Sequence, residues 1–546
     1  MSVVTATILS AGKPMDPSFE VVSIDIVKEV NRIPYASLTL LDGSAVEQKF
    51  AISDDAFFEP GKEIEIKLRY EGDPGSTASV FKGLVFKQTI EANERGTLLT
   101  VEMKDAAIKL TQTRHSMVYR KKTDSQIMGE LIGNHGVKKG SIDATQPEHP
   151  EIVQYYCTDW DFILSRADLY GLWVIAQDGE ISVKKISLSE NAKYNLEFGI
   201  SDIYAFEIEV DGSHQYANIE SVGWDLKNQK LTQSSKAKAF NLSQGNLKPE
   251  TVARAVGSQV QSLSSAVPLD TKSLQAWADG AMIKSRMSMI RGFISTPGVG
   301  NVNCLDVMNI DGMGKRFNGK TVVTGIRHRV DLDGWRTDVQ FGLSAERFIT
   351  RPGVTDVPAA GQLPGVNGLQ IGVVDKFAED PDKEFRIKVI LPGIDEKTGA
   401  VWARLATPDA GKERGYFFRP EPGDEVVVGF FNDDPRQAVI LGAMYGSKNM
   451  PPKKMKLTKD NLDKGIVSKK GITLAFSDDE KPAFLVETPG SNKFIIDDND
   501  QKIQISDQHG NSITMSKDGI EIKSAKDLKI SASANVEIKG VKVDVK

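Results

Sequence analysis

Ile520-Glu521-Ile522-Lys523-Ser524-Ala525-Lys526-Asp527-Leu528-Lys529-Ile530-Ser531-Ala532-Ser533-Ala534-Asn535-Val536-Glu537-Ile538 is the stretch on which the fold turns. Two apolar residues flank a polar one, and the motif returns at every eighth position: Ile520/Ile522, Leu528/Ile530, Val536/Ile538. Upstream, Phe484/Val486, Phe494/Ile496, Ile503/Ile505 and Ile513/Met515 continue the theme at comparable steps. Short strands of constant length with small or polar turns are the signature of a β-solenoid or β-prism. Each rung offers only two apolar side chains, too few to enclose a core within one chain. Three chains around a common axis, each giving one face of a triangular prism, satisfy the pattern. At about 1.5–3 kcal/mol per buried aliphatic side chain, the three regular rungs supply about 9–18 kcal/mol per chain, and only in the trimer. The repeat predicts obligate threefold assembly, with Ile503, Ile505, Ile513, Met515, Ile520, Ile522, Leu528, Ile530, Val536 and Ile538 as the trimer core. An edge-paired meander in a monomer is the alternative.

Working back from the repeat, residues 447–483 read as a connector and 366–446 as one compact β domain. Five strands fall in the latter: Leu369 to Val374, Glu384 to Leu391, Ala400 to Leu405, Glu425 to Phe431 and Ala438 to Met444. That number in so short a span suits a small barrel of OB type. Residues 351–365, from Arg351-Pro352-Gly353 to Leu363-Pro364-Gly365, read as a linker.

Residues 1–350 read as an α+β unit. Glu63-Ile64-Glu65-Ile66-Lys67-Leu68-Arg69-Tyr70 alternates strictly, which predicts a strand with one wet face. A helix is expected near 125–134, capped by Thr123 or Asp124. A second is expected from Thr158, where Thr158 and Asp161 have capping-box spacing, to Gly171. Val252, Val256 and Val260 suggest a third, and Leu274, Trp277, Ala278 and Ala281 a fourth over 271–290. The predicted class is mainly β: an α+β N-terminal hub, an OB-fold barrel and a C-terminal intertwined triple-stranded β-helix or β-prism.

Composition bounds the function. The 546 residues predict about three to five domains. Lys plus Arg is 68 against 74 for Asp plus Glu, a formal charge of −6, which argues against generic binding of nucleic acid. Cys157 and Cys304 are the only cysteines, so neither a disulfide scaffold nor a zinc knuckle is available. No apolar run approaches the ~20 residues that span a bilayer. The N-terminal Met1-Ser2-Val3-Val4-Thr5 lacks the basic region and apolar core of a secretory signal. The expectation is assembly in the cytoplasm and exit by a non-Sec route.

No catalytic centre is expected. The histidines His115, His135, His149, His214, His328 and His509 form no close ligand pair, so neither a metal nor a cofactor is predicted. His509 could repeat three times around a trimer axis and hold an ion, but Gln508 and Gly510 beside it point to a turn. Cys157 has no local base and reads as a structural thiol. Asp478-Asp479-Glu480 and Asp497-Asp498-Asn499-Asp500 could pass for glycosidase carboxylates, but they fall in turns between strands.

Four segments resemble the VgrG family of type VI secretion spikes and the hub-and-spike proteins of contractile phage tails. Gln154-Tyr155-Tyr156-Cys157-Thr158-Asp159-Trp160-Asp161-Phe162-Ile163-Leu164-Ser165-Arg166 is similar to the family's strand leading to an S-D-W-D-F-type helix. Gly319-Lys320-Thr321-Val322-Val323, His328, Gly334-Trp335-Arg336-Thr337 and Phe341-Gly342 resemble the closing strands of its hub. Phe385 to Pro392, Val401-Trp402-Ala403-Arg404, Phe418-Arg419-Pro420-Glu421-Pro422-Gly423-Asp424-Glu425-Val426-Val427-Val428-Gly429-Phe430 and Asn432 to Ile440 resemble its spike OB domain. The repeat ending at Ile538 is the fourth. Only about 40 residues separate Tyr445 from Phe484, so the lysozyme of the phage spike has no room.

The resemblance implies a homotrimeric, non-enzymatic spike. Residues 1–350 would meet the inner tube and baseplate proteins, and 366–446 would form a collar. The 484–546 needle would carry a PAAR-type tip protein on Val541 to Lys546. Effector cargo is implied as a further partner, and the target membrane would be met only by puncturing. Type VI secretion, an extracellular injection particle and a phage tail all fit this pattern. A trimeric tailspike-like glycan-degrading enzyme is the alternative of another class.

Overall fold

The computed structural model describes residues 3–94, 96–188, 190–394 and 400–545. Met1, Ser2 and Lys546, which entered the readings above, lie outside them. Chain contacts divide the protein into two units, Met1–Asp356 and Val357–Lys546.

In the first unit one large sheet runs, in spatial order, through Ala205–Val210, Ile290–Pro297, Gly334–Phe341, Gly319–Asp331, Val21–Glu29, Tyr35–Leu41, Gly96–Lys104, Ala78–Asn93, Glu63–Tyr70 and Val4–Ser10. Period-2 patterning builds it. Ile64, Ile66 and Leu68 are fully buried and pack with Ile24, Ile26, Leu38, Leu40, Leu99 and Val101. Their polar neighbours stay on the wetter face.

Helix α1 spans Asp124–Asn134, and its capping box joins Thr123 and Gln126. Helix α2 spans Asp159–Tyr170, capped by the Thr158 hydroxyl at the start and ended by Gly171 at φ 64°. The third helix, α3, covers only Pro249–Ala255, shorter than the valine spacing suggests. Gly257, at φ 83°, stops it, and Val260 opens a strand, Val260–Ser264, parallel to Asn218–Val222. Helix α4 covers Thr271–Met287 under an Asp270 cap. It stops short of the expected 290 because Ile290 begins the next strand of the large sheet.

Buried polar groups tie the helices down. Asp124, at the start of α1, is buried and accepts from Arg166 and Tyr170 of α2, and it pairs with His149 Nε2 at 2.7 Å. Asp159, at the start of α2, receives Gln154 at 2.8 Å, His135 at 2.7 Å and His115 at 3.3 Å.

His328 lies in the sheet core. Trp335 Nε1 donates to its Nδ1 at 3.4 Å, and Thr337 Oγ1 lies 3.0 Å from the same atom. Burial first, then the nearby Lys28 charge, push its pKa down to about 3. The unfolded chain, with a value near 6.5, binds this proton much more readily. The stability tied to a neutral His328 is therefore complete above pH ~6.5 and is lost as pH falls towards 3, by up to about 1.4 kcal/mol per pH unit. Urea unfolding midpoints measured from pH 7 to pH 4 are expected to fall less steeply in His328→Gln than in the wild type.

In the second unit Gln370–Val374, Ile387–Ile390, Ala400–Leu405, Ala438–Ala443 and Glu425–Phe430 close, in that spatial order, into a five-stranded barrel. Val374, Ile387, Val389, Ala403, Val426, Val428 and Ile440 fill it. Beyond it, seven strands of 5 residues each form an antiparallel ladder: Asp463–Val467, Thr473–Ser477, Ala483–Glu487, Lys493–Asp497, Lys502–Ser506, Ser512–Ser516 and Gly519–Lys523. All seven pair in sequence order within one chain. The five inner strands therefore spend both edges of their backbone on neighbours in the same chain. The first two strands fall inside the stretch 447–483 that reads as a connector, where Lys464 and Gly465 interrupt the apolar signal.

Candidate functional site

The ladder's registers stack its apolar residues into two columns. Phe476, Phe484, Ile496, Ile503, Met515 and Ile520 are consecutive cross-strand partners. So are Ile466, Leu474, Val486, Phe494, Ile505, Ile513 and Ile522. Residues two apart share a face of a strand, so both columns lie on the same side of the sheet. The rings of Phe476, Phe484 and Phe494 follow one another at centroid distances of 5.3 and 6.3 Å.

This face is open. In the first column exposure rises from 38% at Ile496 through 44% at Met515 to 71% at Ile520. In the strand Lys502–Ser506 the two isoleucines are exposed while Lys502, Gln504 and Ser506 are half-buried. An ordinary surface sheet has the reverse arrangement. An apolar stripe of this kind, half-buried at Leu474, Phe484, Val486 and Phe494 and exposed from Ile496 onward, marks an interaction surface.

Of the residues expected in the core, Ile503, Ile505, Ile513, Met515, Ile520 and Ile522 lie on this face. Leu528, Ile530, Val536 and Ile538 follow the last strand, outside any strand of the chain, and are exposed. The sequence reading missed Ile466, Leu474 and Phe476, which extend the stripe upstream. The alternation Thr473-Leu474-Ala475-Phe476-Ser477 was the signal for the last two.

The candidate catalytic groups are engaged elsewhere. The Asp497 carboxylate accepts the backbone N–H groups of Asn499 and Asp500, and Asp479 accepts that of Glu480, so both shape turns. His509 sits in the turn held by Asp507, whose carboxylate accepts the N–H of His509 at 2.9 Å. Burial, then the Asp161 charge, push the Cys157 thiol up to about 11, which leaves it a poor nucleophile at neutral pH. Among the described residues no group of three or more His, Cys, Asp or Glu is placed to hold a metal ion, and no helix is long and apolar enough to cross a membrane.

Three family models match the chain in succession. Residues 1–331 match the Alg8 N-terminal domain. Residues 370–445 match the type VI secretion system/phage-baseplate injector OB domain. Residues 483–546 match the phage baseplate V C-terminal trimerisation domain. Similar curated proteins include the type VI secretion system spike protein VgrG2a of Pseudomonas aeruginosa, 31% identical over 102 residues, which are 17% of this chain and 12% of the relative. Spike protein VgrG3 of Vibrio cholerae is 32% identical over 101 residues, 18% of this chain and 9% of that one. The matched stretch thus spans only about a tenth of these relatives. Among solved structures, a tail protein from Neisseria meningitidis is 13% identical with a TM-score of 0.46, covering 62% of this chain and 96% of that one. A type VI secretion component from E. coli is 12% identical with a TM-score of 0.39, covering 80% and 99%.

Proposed function

The chain belongs to the VgrG and phage-baseplate V spike family, joining an Alg8 N-terminal domain, an injector OB domain and a trimerisation domain, and on that premise we propose that three copies form the central spike of a contractile injection machine. The match of 483–546 to a trimerisation domain supports a homotrimer, and the spike families support a role that is mechanical rather than enzymatic. Residues 1–350 serve as the hub that meets the inner tube and baseplate, and 366–446 as the collar. Residues 484–546 form the needle, with a PAAR-type tip protein at its end and effector cargo carried along. The spike is put together in the cytoplasm, leaves with its machine and meets the target membrane by puncturing it.

The two-column apolar stripe carries this reading. Three such faces turned to a common axis bury in one another what each chain leaves to water, and Ile503, Ile505, Ile513, Met515, Ile520 and Ile522 then form the core. Leu528, Ile530, Val536 and Ile538 add two further rungs once neighbouring chains supply the pairing that one chain lacks. Light scattering on the purified protein should give three times the 59.8 kDa mass of the chain. A stable species at 59.8 kDa would sink the proposal.

A further inference from the structure

The chain leaves the barrel at Ala443 and enters the ladder at Asp463. Around this passage its charge is unlike that of the whole. Residues 448–470 hold eight lysines against two carboxylates, Asp460 and Asp463, in a protein whose formal charge is −6. All eight lysines are exposed. Ion pairs among the described residues engage Lys454 with Glu487, Lys464 with Asp478 and Lys469 with Glu421. That leaves Lys448, Lys453, Lys456, Lys459 and Lys470 to solvent.

Three contacts fix the side of the ladder on which the basic segment lies. Lys454 Nζ meets the Glu487 carboxylate at 2.5 Å, and the Lys456 N–H donates to Asp463 Oδ2 at 3.1 Å. Between them Met455 lies over Gly465, where a Cβ would come within 2.9 Å of its Cε. Asp463, Gly465 and Glu487 alternate with Ile466 and Val486 of the apolar columns, so they occupy the opposite face. The segment 454–456 thus crosses the back of the sheet. When the stripes turn to a common axis, these lysines turn outward.

The composition of the belt narrows what it can meet. No arginine follows Arg436, and 448–470 contains no aromatic residue. A nucleic-acid surface calls for arginine or for aromatic platforms. An arginine fork also suits an anion held in one place, whereas an ammonium on a flexible stem is a point charge that needs no fixed partner. Phosphates in a fluid bilayer have no fixed places. Met450 and Leu457 stand among the lysines, 73% and 81% exposed. Apolar side chains within a basic stretch sink to the boundary of headgroups and acyl chains, while the charges hold an anionic leaflet.

We propose that this lysine belt docks on an anionic lipid surface. Its ammonium groups meet headgroup phosphates, and Met450 and Leu457 enter the layer beneath. Five unpaired ammonium groups per chain recur three times around the shaft. The outward direction of the belt rests on the trimer reading above; its charge does not.

The test floats the full-length protein on density gradients with two kinds of vesicle, phosphatidylglycerol with phosphatidylcholine in equal amounts, and phosphatidylcholine alone. The protein should rise with the anionic vesicles and partition at least about tenfold less into the neutral ones. About 1 M salt, where the screening length is about 3 Å, should release it. Lys→Gln at 448, 453, 456, 459 and 470 together should lower partitioning at least about tenfold. The same change at Lys13, Lys49, Lys109, Lys227 and Lys272, all exposed in the first unit, should leave it unaltered. The proposal is overturned if the anionic vesicles do not carry the protein, if neutral vesicles carry it equally, or if the belt variant floats like the wild type. Equal loss in the control variant would assign the effect to net charge and overturn it as well. So would single-stranded DNA that displaces the protein from the anionic vesicles at low salt. Light scattering on each protein reports assembly separately: a trimer that does not float refutes the belt, and a monomer that floats refutes the spike.

Discussion

Replacing both Ile505 and Ile513 by aspartate should reduce the particle from three times the 59.8 kDa mass of the chain to that mass itself. The two residues are direct cross-strand partners, the fifth and sixth of the second column. In a trimer each change recurs three times around one axis, so six carboxylates face each other in an apolar interior with no cation among them. An uncompensated buried charge costs about 3–5 kcal/mol, and like charges nearby add to that. No rearrangement within a five-residue strand turns both side chains outward, because a slip of one residue would bring the whole polar face inward. Gln504 and Thr514 are partners on the opposite face of the same two strands, so Gln504→Asp with Thr514→Asp is the matched control and should leave the mass unchanged. A double Ile→Asp protein that still scatters as a trimer would mean that the stripe is not the assembly face.

The second large effect concerns a single carboxylate. Asp124→Ala should lower the stability of the first unit by about 3–5 kcal/mol, because Arg166 would be left charged, mostly buried and without its partner. Burial by itself raises the pKa of Asp124, but the Arg166 ion pair and the hydrogen bonds from Tyr170 and His149 outweigh it, and the net shift is downward. A carboxylate depressed in the folded state contributes stability that is present above its unfolded pKa of about 3.9 and is lost as pH falls through the folded value. The wild type should therefore lose stability steeply below pH ~4, and Asp124→Ala should show a flatter acid limb from a lower starting point. Urea unfolding followed by tryptophan fluorescence, with Trp160 at the start of α2 as reporter, reads both quantities.

What the sequence disclosed and what it hid follow the range of the interactions. The cap of α2 was legible because Thr158 with Asp161 acts over one helical turn, whereas for α1 the sequence left Thr123 and Asp124 both open and the structure gives the cap to Thr123 with Gln126. The alternation in Glu63–Tyr70 and in the terminal rungs was legible for the same reason, since period-2 patterning is written along the strand. Val260 misled because valine spacing looks alike in a helix and a strand, and the decisive residue was Gly257 between them. The network around Asp124 was out of reach: it joins residues 25 to 46 positions apart that no local pattern connects.

The ladder has a mechanical consequence that depends on direction. Its hydrogen bonds run from strand to strand, along the stack, at spacings of about 4.8 Å. A load pushing along the stack presses together backbones already in van der Waals contact and finds little to displace. A load pulling along the same line opens the bonds of one strand boundary at a time, as in peeling. Such a shaft is a strut rather than a tether, better suited to a thrust than to being drawn back.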